Sequence, residues 1–302
     1  MIEPAPLEIG DTIAIVALAS WGKEGEVKAC KKNLEIQGFK VKLAANINEQ
    51  WGYFAGTDKS RAQALMDCFL DDDVKAIWCL RGGYGSGRIL DLLDYEAIEN
   101  RPKIFIGMSD ITALHLALGQ NAHLMTFLGP NANFLFAPSE GKERTFSKEH
   151  AWNALLNKPE KTTVFKADKA LSKGKAKGVL TGGNLALITA HIGTPWQIQT
   201  KGKVLLLEDV SEFTYRIDRF LCQMKQAGLL DEVAGVVLCS WHDCTPQHEH
   251  HFELEEVLKN YFNSASYPVL LGLPSGHIEG QSTFLLGKEV ELDTDSLTLT
   301  IQ

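Results

Sequence analysis

VKAIWCLRGGYGSGRILDLLD, residues 74–94, decides how this chain is read. An apolar run reaches Leu80, four glycines occupy six positions from Gly82 to Gly87, and an amphipathic run follows. Glycines at that density mean that something approaches the backbone closely, or that the chain turns where a side chain would clash. Three uses are open: a cradle for a nucleotide phosphate, a pair of amides for an oxyanion, or a tight strand-to-helix turn.

Spacing weighs against the phosphate cradle. The pattern G-x-x-x-x-G-K-[ST] fits in spacing from Gly82, but Arg88 stands where the lysine should be and Ile89 where the magnesium-holding hydroxyl should be. The dinucleotide pattern G-x-G-x-x-G fails as well, because from Gly83 it ends on Arg88 and from Gly85 on Leu90.

The same alternation of short apolar runs and amphipathic runs flanks this stretch. DTIAIVAL (11–18) precedes EGEVKACKKNLEIQ (24–37), and KIFIGM (103–108) precedes ITALHLALGQ (111–120). Apolar runs of this length, bounded by Gly and Asp, suit buried parallel strands, and the amphipathic runs suit crossover helices. GTDKSRAQALMDCFLDD (56–72) reads as a further helix, with Thr57 or Asp58 as its N-cap. The first half is therefore α/β, with a parallel sheet between helical layers.

From about residue 140 the character changes. KPEKTTVFKADKALSKGKAKG (158–178) is rich in Lys, poor in large apolar residues and ends in glycines. This predicts an N-terminal domain over 1–157, a linker over 158–177 and a C-terminal domain over 178–302. The second half offers the strands KVLLLEDV (203–210) and VAGVVLCSW (233–241), and the helices TYRIDRFLCQMKQAG (214–228) and FELEEVLKNYF (252–262). The final stretch, STFLLGKEVELDTDSLTLTIQ (282–302), alternates like an antiparallel hairpin, so this domain is expected to be mixed α/β.

The 302 residues carry a net charge of −8, which argues against non-specific binding to nucleic acid or anionic membrane. Acidic residues and prolines, with no Lys or Arg, precede the first apolar run, the wrong order for a secretory signal. Six scattered cysteines, at 30, 68, 79, 222, 239 and 244, form no CxxC pair and suit a reducing compartment. These features predict a cytoplasmic protein.

KIFIGMSDITALHLAL (103–118) is the second informative stretch. It places Ser109 between a strand and a helix, where a hydroxyl can project from the carboxyl end of a sheet beside free N–H groups. The alternative is that Ser109 only caps the helix. Ile111 stands where the last glycine of G-x-S-x-G would be. Further on, Glu208 and Asp209 both end an apolar run, and spacing does not choose between them. His277 lies in the glycine-flanked loop PSGH, where a surface histidine is the plain alternative.

Six blocks together resemble the L,D-carboxypeptidase family. They are AGTDKSRAQAL (55–65), VKAIWCLRGGYGSGRILDLLDY (74–95), PKIFIGMSDITALHLAL (102–118), LTGGNLALITAHIGTPW (180–196), LLLEDVSEFTYRIDRFLCQM (205–224) and GLPSGHIEGQSTFLLG (272–287). They span nearly the whole chain in the family's order. Microcin-immunity amidases are related but resemble the chain less in the glycine loop. Two departures stand out: Met108 where an aromatic residue is usual, and FLGPN near Gly129 where the family has His-Gly-Pro.

The resemblance implies a serine peptidase that removes a terminal D-alanine from murein peptides, with the active site in a cleft between two α/β domains. It implies Ser109 as nucleophile, Glu208 as the acidic member of the triad and His277 as the base. The amides of Gly83 and Asp110 are the expected oxyanion hole. Arg81 is the candidate for binding the substrate carboxylate, with Arg88 in reserve. No cofactor or metal is expected. The expected partners are a small murein peptide and a second copy of the chain in a homodimer, with neither nucleic acid nor membrane. A microcin-immunity-like amidase and a nucleotide-binding α/β enzyme are the competing readings.

Two further stretches invite other chemistry. CSWHDCTPQHEHHFELEE (239–256) gathers Cys and His, but its histidines bunch as H-x-H-H without the second matched pair of a structural zinc site. TGGN (181–184) is read as opening a helix, with N–H groups for an anion or only a tight packing turn.

Overall fold

The computed structural model describes residues 1–137, 144–156 and 162–301. The chain divides into two units, Met1–Pro159 with Glu279–Leu285, and Glu160–Ile278 with Leu286–Gln302.

The first unit holds strands β1 (Thr12–Val16), β2 (Lys40–Leu43), β3 (Val74–Cys79), β4 (Ile104–Gly107) and β5 (Thr126–Leu128). They lie in the order β5-β4-β3-β1-β2, every pair parallel. Its helices are α1 (Glu24–Ile36), α2 (Asp58–Leu70), α3 (Tyr95–Glu99), α4 (Thr112–Asn121), α5 (Ala132–Phe136) and α6 (Thr145–Leu156). Every residue of β1 is buried, as expected of a strand covered on both faces. On one face Trp78 meets Phe136 of α5 and Trp152 of α6 edge-on, and Leu34 of α1 joins the same core. On the other, Phe105 packs near Phe69 of α2 and against the ring of His115 on α4. The sheet is thus the middle of three layers. Thr57 caps α2, its Oγ1 accepting from Ser60 N at 3.1 Å.

The amphipathic run after the glycines departs from expectation. It forms a tight 3-10 helix over Ser86–Leu92, not a regular crossover helix. Burying Ser86, Ile89 and Leu90 together suits the three-residue repeat, and Asp94 then restarts the chain as the cap of α3.

The second unit contains β6 (Thr163–Lys166), β7 (Lys169–Ser172), β8 (Lys175–Asn184), β9 (Val204–Val210), β10 (Gly235–His242) and β11 (Val269–Leu271). After β12 (Phe284–Leu286), which lies beside β5 in the first sheet, come β13 (Glu289–Asp293) and β14 (Thr298–Ile301). Among the described residues the second sheet runs β6-β14-β13-β8-β9-β10-β11-β7. Strands β8 to β11 are mutually parallel, and the flanking pairs are antiparallel. Helices α7 (Leu185–Ala190), α8 (Thr214–Gln226) and α9 (Leu254–Phe262) accompany it. The C-terminal hairpin is β13–β14, with Val290 opposite Ile301.

Two boundaries need correction. Residues 158–161 of the expected linker lie outside the described residues, but from Thr163 onward the segment is strand. Its β6 and β7 are the two edges of the second sheet, and lysine is what natural edge strands use against unwanted pairing. Lys175 and Lys177 of β8 meet Asp293 and Glu291 across the ladder. The stretch 279–285, expected in the C-terminal domain, belongs to the first unit. There Ser147 Oγ donates to Glu279 O and accepts from Gln281 N, both at 2.8 Å, and Arg144 pairs with Glu279. Among the described residues no helix is long and apolar enough to cross a membrane.

Candidate active site

Ser109 occupies the turn between β4 and α4 with φ of 66°, the left-handed region that side chains avoid. Such a backbone costs on the order of 1–3 kcal/mol and persists only where its surroundings impose it. Met108 N donates to Asn131 Oδ1 at 3.2 Å, and Gly107 O accepts from Gly129 N at 3.1 Å. Gly107 O also faces His115 Nε2 at 2.9 Å. Burial drives the pKa of His115 down to about 4, so the ring is neutral near pH 7. Since a carbonyl only accepts, Nε2 carries the proton and Nδ1 accepts from Thr126 Oγ1 at 2.9 Å. The capping alternative fails: the 3-10 turn Ser109–Ile111 and α4 begin at Met108 and Ile111, without a side-chain cap. His115 and Asn131, which hold this elbow, carry no sequence signal beyond being polar residues in apolar surroundings.

The glycine loop lies against this serine. A Cβ placed on Gly82 would stand 2.9 Å from Ser109 Cβ and 3.2 Å from its Oγ, so any side chain there would strike the turn. Gly83 has φ of 116°, and a Cβ on it would fall 2.1 Å from Ser20 Oγ. Among the described residues no backbone carbonyl accepts the Gly83 N–H. Asp110 is 1% exposed, and its carboxylate accepts from Ser86 N at 2.7 Å. Burial raises the pKa of Asp110, against the opposing hydrogen bonds from Ser86. Ser109, Asp110, Gly82, Gly83 and Arg81 are all in the first unit.

Glu208 and His277 are in the second unit, and the structure brings them together. His277 Nδ1 lies 2.8 Å from Glu208 Oε2, and Glu208 is 1% exposed. Burial works against a charged His277, but the hydrogen bond and charge of Glu208 outweigh it and raise the pKa. Glu208 Oε1 accepts from Asn184 Nδ2 at 3.2 Å, and the same amide donates to Asp209 Oδ1 at 2.9 Å. Asp209 Oδ2 accepts from Ala186 N in the first turn of α7 at 3.0 Å. The two neighbouring carboxylates therefore separate: Glu208 holds the imidazole, and Asp209 holds a helix start. Burial pushes the pKa of Asp209 up to about 6.

Asn184 was not singled out by sequence, although it closes TGGN. That stretch does not open a helix. It ends β8, with Gly182 opposite Leu206 and Asn184 opposite Glu208, and only Asn184 caps the six-residue α7. Arg81 Nη1 donates to Trp21 O at 3.3 Å, and its buried Nε has no partner among the described residues. Arg88 is spent on Asp58, at 2.7 Å. In the Cys/His stretch, as elsewhere among the described residues, no three His, Cys, Asp or Glu converge as a metal site would require.

Comparison with known proteins matches both units. Residues 13–129 fit the model of the LD-carboxypeptidase N-terminal domain, and 177–292 fit that of the C-terminal domain. The probable murein peptide carboxypeptidase of Bacillus subtilis is 38% identical, over 99% of this chain and 94% of its own. The muramoyltetrapeptide carboxypeptidase of Oxalobacter formigenes superposes with a TM-score of 0.87 at 27% identity, covering 96% of this chain and 97% of its own. The wild-type apo microcin C7 self-immunity protein MccF gives 0.91 at 25% identity, over 100% and 98%. These matches define a serine-type hydrolase built from two α/β domains. The chain belongs to the LD-carboxypeptidase family and is by class a serine-type L,D-carboxypeptidase.

Proposed function

We propose that this enzyme hydrolyses the amide bond before the terminal D-alanine of murein tetrapeptides, in the cytoplasm, as a step of cell-wall peptide recycling. The observation that carries the chemistry is Ser109, held at φ 66° with Gly82 packed against it. The substrate follows from the names of relatives, a probable murein peptide carboxypeptidase and a muramoyltetrapeptide carboxypeptidase.

Ser109 Oγ attacks the scissile carbonyl while His277 takes its proton. Glu208 fixes the ring through Nδ1 and stabilises the imidazolium that forms. The amides of Gly83 and Asp110 hold the tetrahedral oxyanion, each worth about 3 kcal/mol in such sites. His277 returns the proton to the leaving D-alanine, and water then hydrolyses the acyl-enzyme. Arg81, with an unengaged Nε, binds the terminal carboxylate.

Incubation with murein tetrapeptide should yield tripeptide and D-alanine. Aspartyl sulfamoyl adenosine, a compound found in complex with MccF, is the discriminating second substrate. Its cleavage with the tetrapeptide left intact would replace this reading by that of an immunity amidase.

A further inference from the structure

Arg61, on α2, has no solvent exposure at all. A guanidinium is rarely buried unless several acceptors meet its five N–H donors. Here Nη1 donates to Leu18 O at 2.6 Å and to Gly85 O at 2.7 Å, and Nη2 donates to Asp58. Its carbon lies 4.8 Å from the centroid of the Phe54 ring. Leu18 follows β1 and Gly85 belongs to the glycine loop, so one nitrogen ties the loop to the carboxyl end of β1. Asp58 holds Arg88, just beyond the loop, at 2.7 Å. From Ser109's neighbour comes the other restraint, the Asp110 carboxylate on Ser86 N. The loop thus runs between a buried cation and a buried carboxylate.

We infer that Arg61 is a positioning residue for the glycine loop, fixing the Gly85 carbonyl so that the Gly83 amide keeps its place near Ser109. This rests on the reading of Gly83 as an oxyanion donor. Glycine backbone is intrinsically free, so a loop of four glycines cannot set its own geometry and needs an outside restraint. An oxyanion donor is useful only when preorganised about 3 Å from the developing charge, and a shift of about 1 Å is costly. The planar fork of arginine reaches two carbonyls and a carboxylate at once. Lysine keeps the charge and loses the fork.

The test compares Arg61→Met and Arg61→Lys with the wild type by kinetics on murein tetrapeptide and by amide hydrogen exchange. In Arg61→Met, kcat should fall about 100-fold with KM within about threefold of wild type, the signature of a displaced oxyanion donor. Arg61→Lys should show the same split to a smaller degree, and guanidinium ion should restore part of the kcat of Arg61→Met. Exchange should quicken over residues 82–86 while β4 keeps its protection. If Arg61→Met does not fold, Arg61→Lys decides by the same measures. Folded variants with wild-type kcat, or with unchanged exchange in the loop, overturn the inference. If the wild type leaves the tetrapeptide intact, the proposed function fails by itself, and loop exchange in Arg61→Lys still decides whether the clamp exists.

Discussion

His277 Nδ1 and Glu208 Oε2 stand 2.8 Å apart, while Asp209, the next residue along the strand, turns to the start of α7. Successive side chains of a strand leave on opposite faces, so only one of two adjacent carboxylates could reach the imidazole. With Nδ1 engaged, Nε2 is the nitrogen through which the proposed mechanism would pass the proton.

Replacing these carboxylates should give unequal losses. Glu208→Gln keeps the shape but not the charge, and kcat should drop by about 100- to 10,000-fold. Asp209→Asn should cost much less. The acid limb of kcat/KM reports the base in the free enzyme, which acts only when neutral. Glu208 raises the His277 pKa above its ordinary 6.5, so that limb should lie above 6.5 in the wild type and move to lower pH in Glu208→Gln. A limb that stays in place would remove His277 from the role of base.

Ser109 and His277 should fail as a unit. Ser109→Ala and His277→Ala should each abolish most turnover, and the double variant should be no slower than the worse single one, because residues of one mechanism are not additive. Multiplying losses would show that they act independently. Chelator should leave wild-type turnover unchanged.

The glycine loop predicts a steric effect at two positions. Gly82→Ala puts a methyl 2.9 Å from Ser109 Cβ, so the serine turn must shift, kcat should fall and some folding stability should be lost with it. Gly83→Val, at φ 116° and against Ser20, should be worse in both respects. Full peptidase activity in Gly83→Val would refute its amide as an oxyanion donor.

Asp209 should make stability depend on pH. Its pKa stands at about 6 in the folded protein, above the ordinary 3.8 that serves for the unfolded chain. A carboxyl group raised in this way favours the fold fully below the unfolded value, and that contribution is lost as pH rises through about 6. Relative to Asp209→Asn, the wild type should lose on the order of 1–3 kcal/mol between pH 4 and 7. Thermal or urea unfolding of both proteins across that range checks the sign.

Much of the architecture was legible because buried parallel strands write themselves as apolar runs, as Ile13–Val16 and Val204–Leu207 do. The edge strands β6 and β7 were not, since a solvated edge tolerates Lys and looks like a linker. Ser109 and the glycine loop announced themselves as turns, but which carboxylate reaches His277 depends on strand pleat and on Asn184. Arg61 and His115 were invisible for another reason: the contacts that tie them to the glycine loop and to the serine turn run to the backbone carbonyls of Gly85 and Gly107, which no side-chain pattern records.

The return of residues 279–285 to the first unit bears on how the protein is made. During synthesis residues 1–159 emerge before the strand that covers β5, which is not available until Phe284–Leu286 have been translated. A nascent or truncated N-terminal piece would therefore offer the unpaired backbone of Thr126–Leu128, a template for self-association. Cutting the protein between its units at residue 159 should yield an aggregating fragment, whereas grafting 279–286, with the whole of β12, behind it should restore solubility.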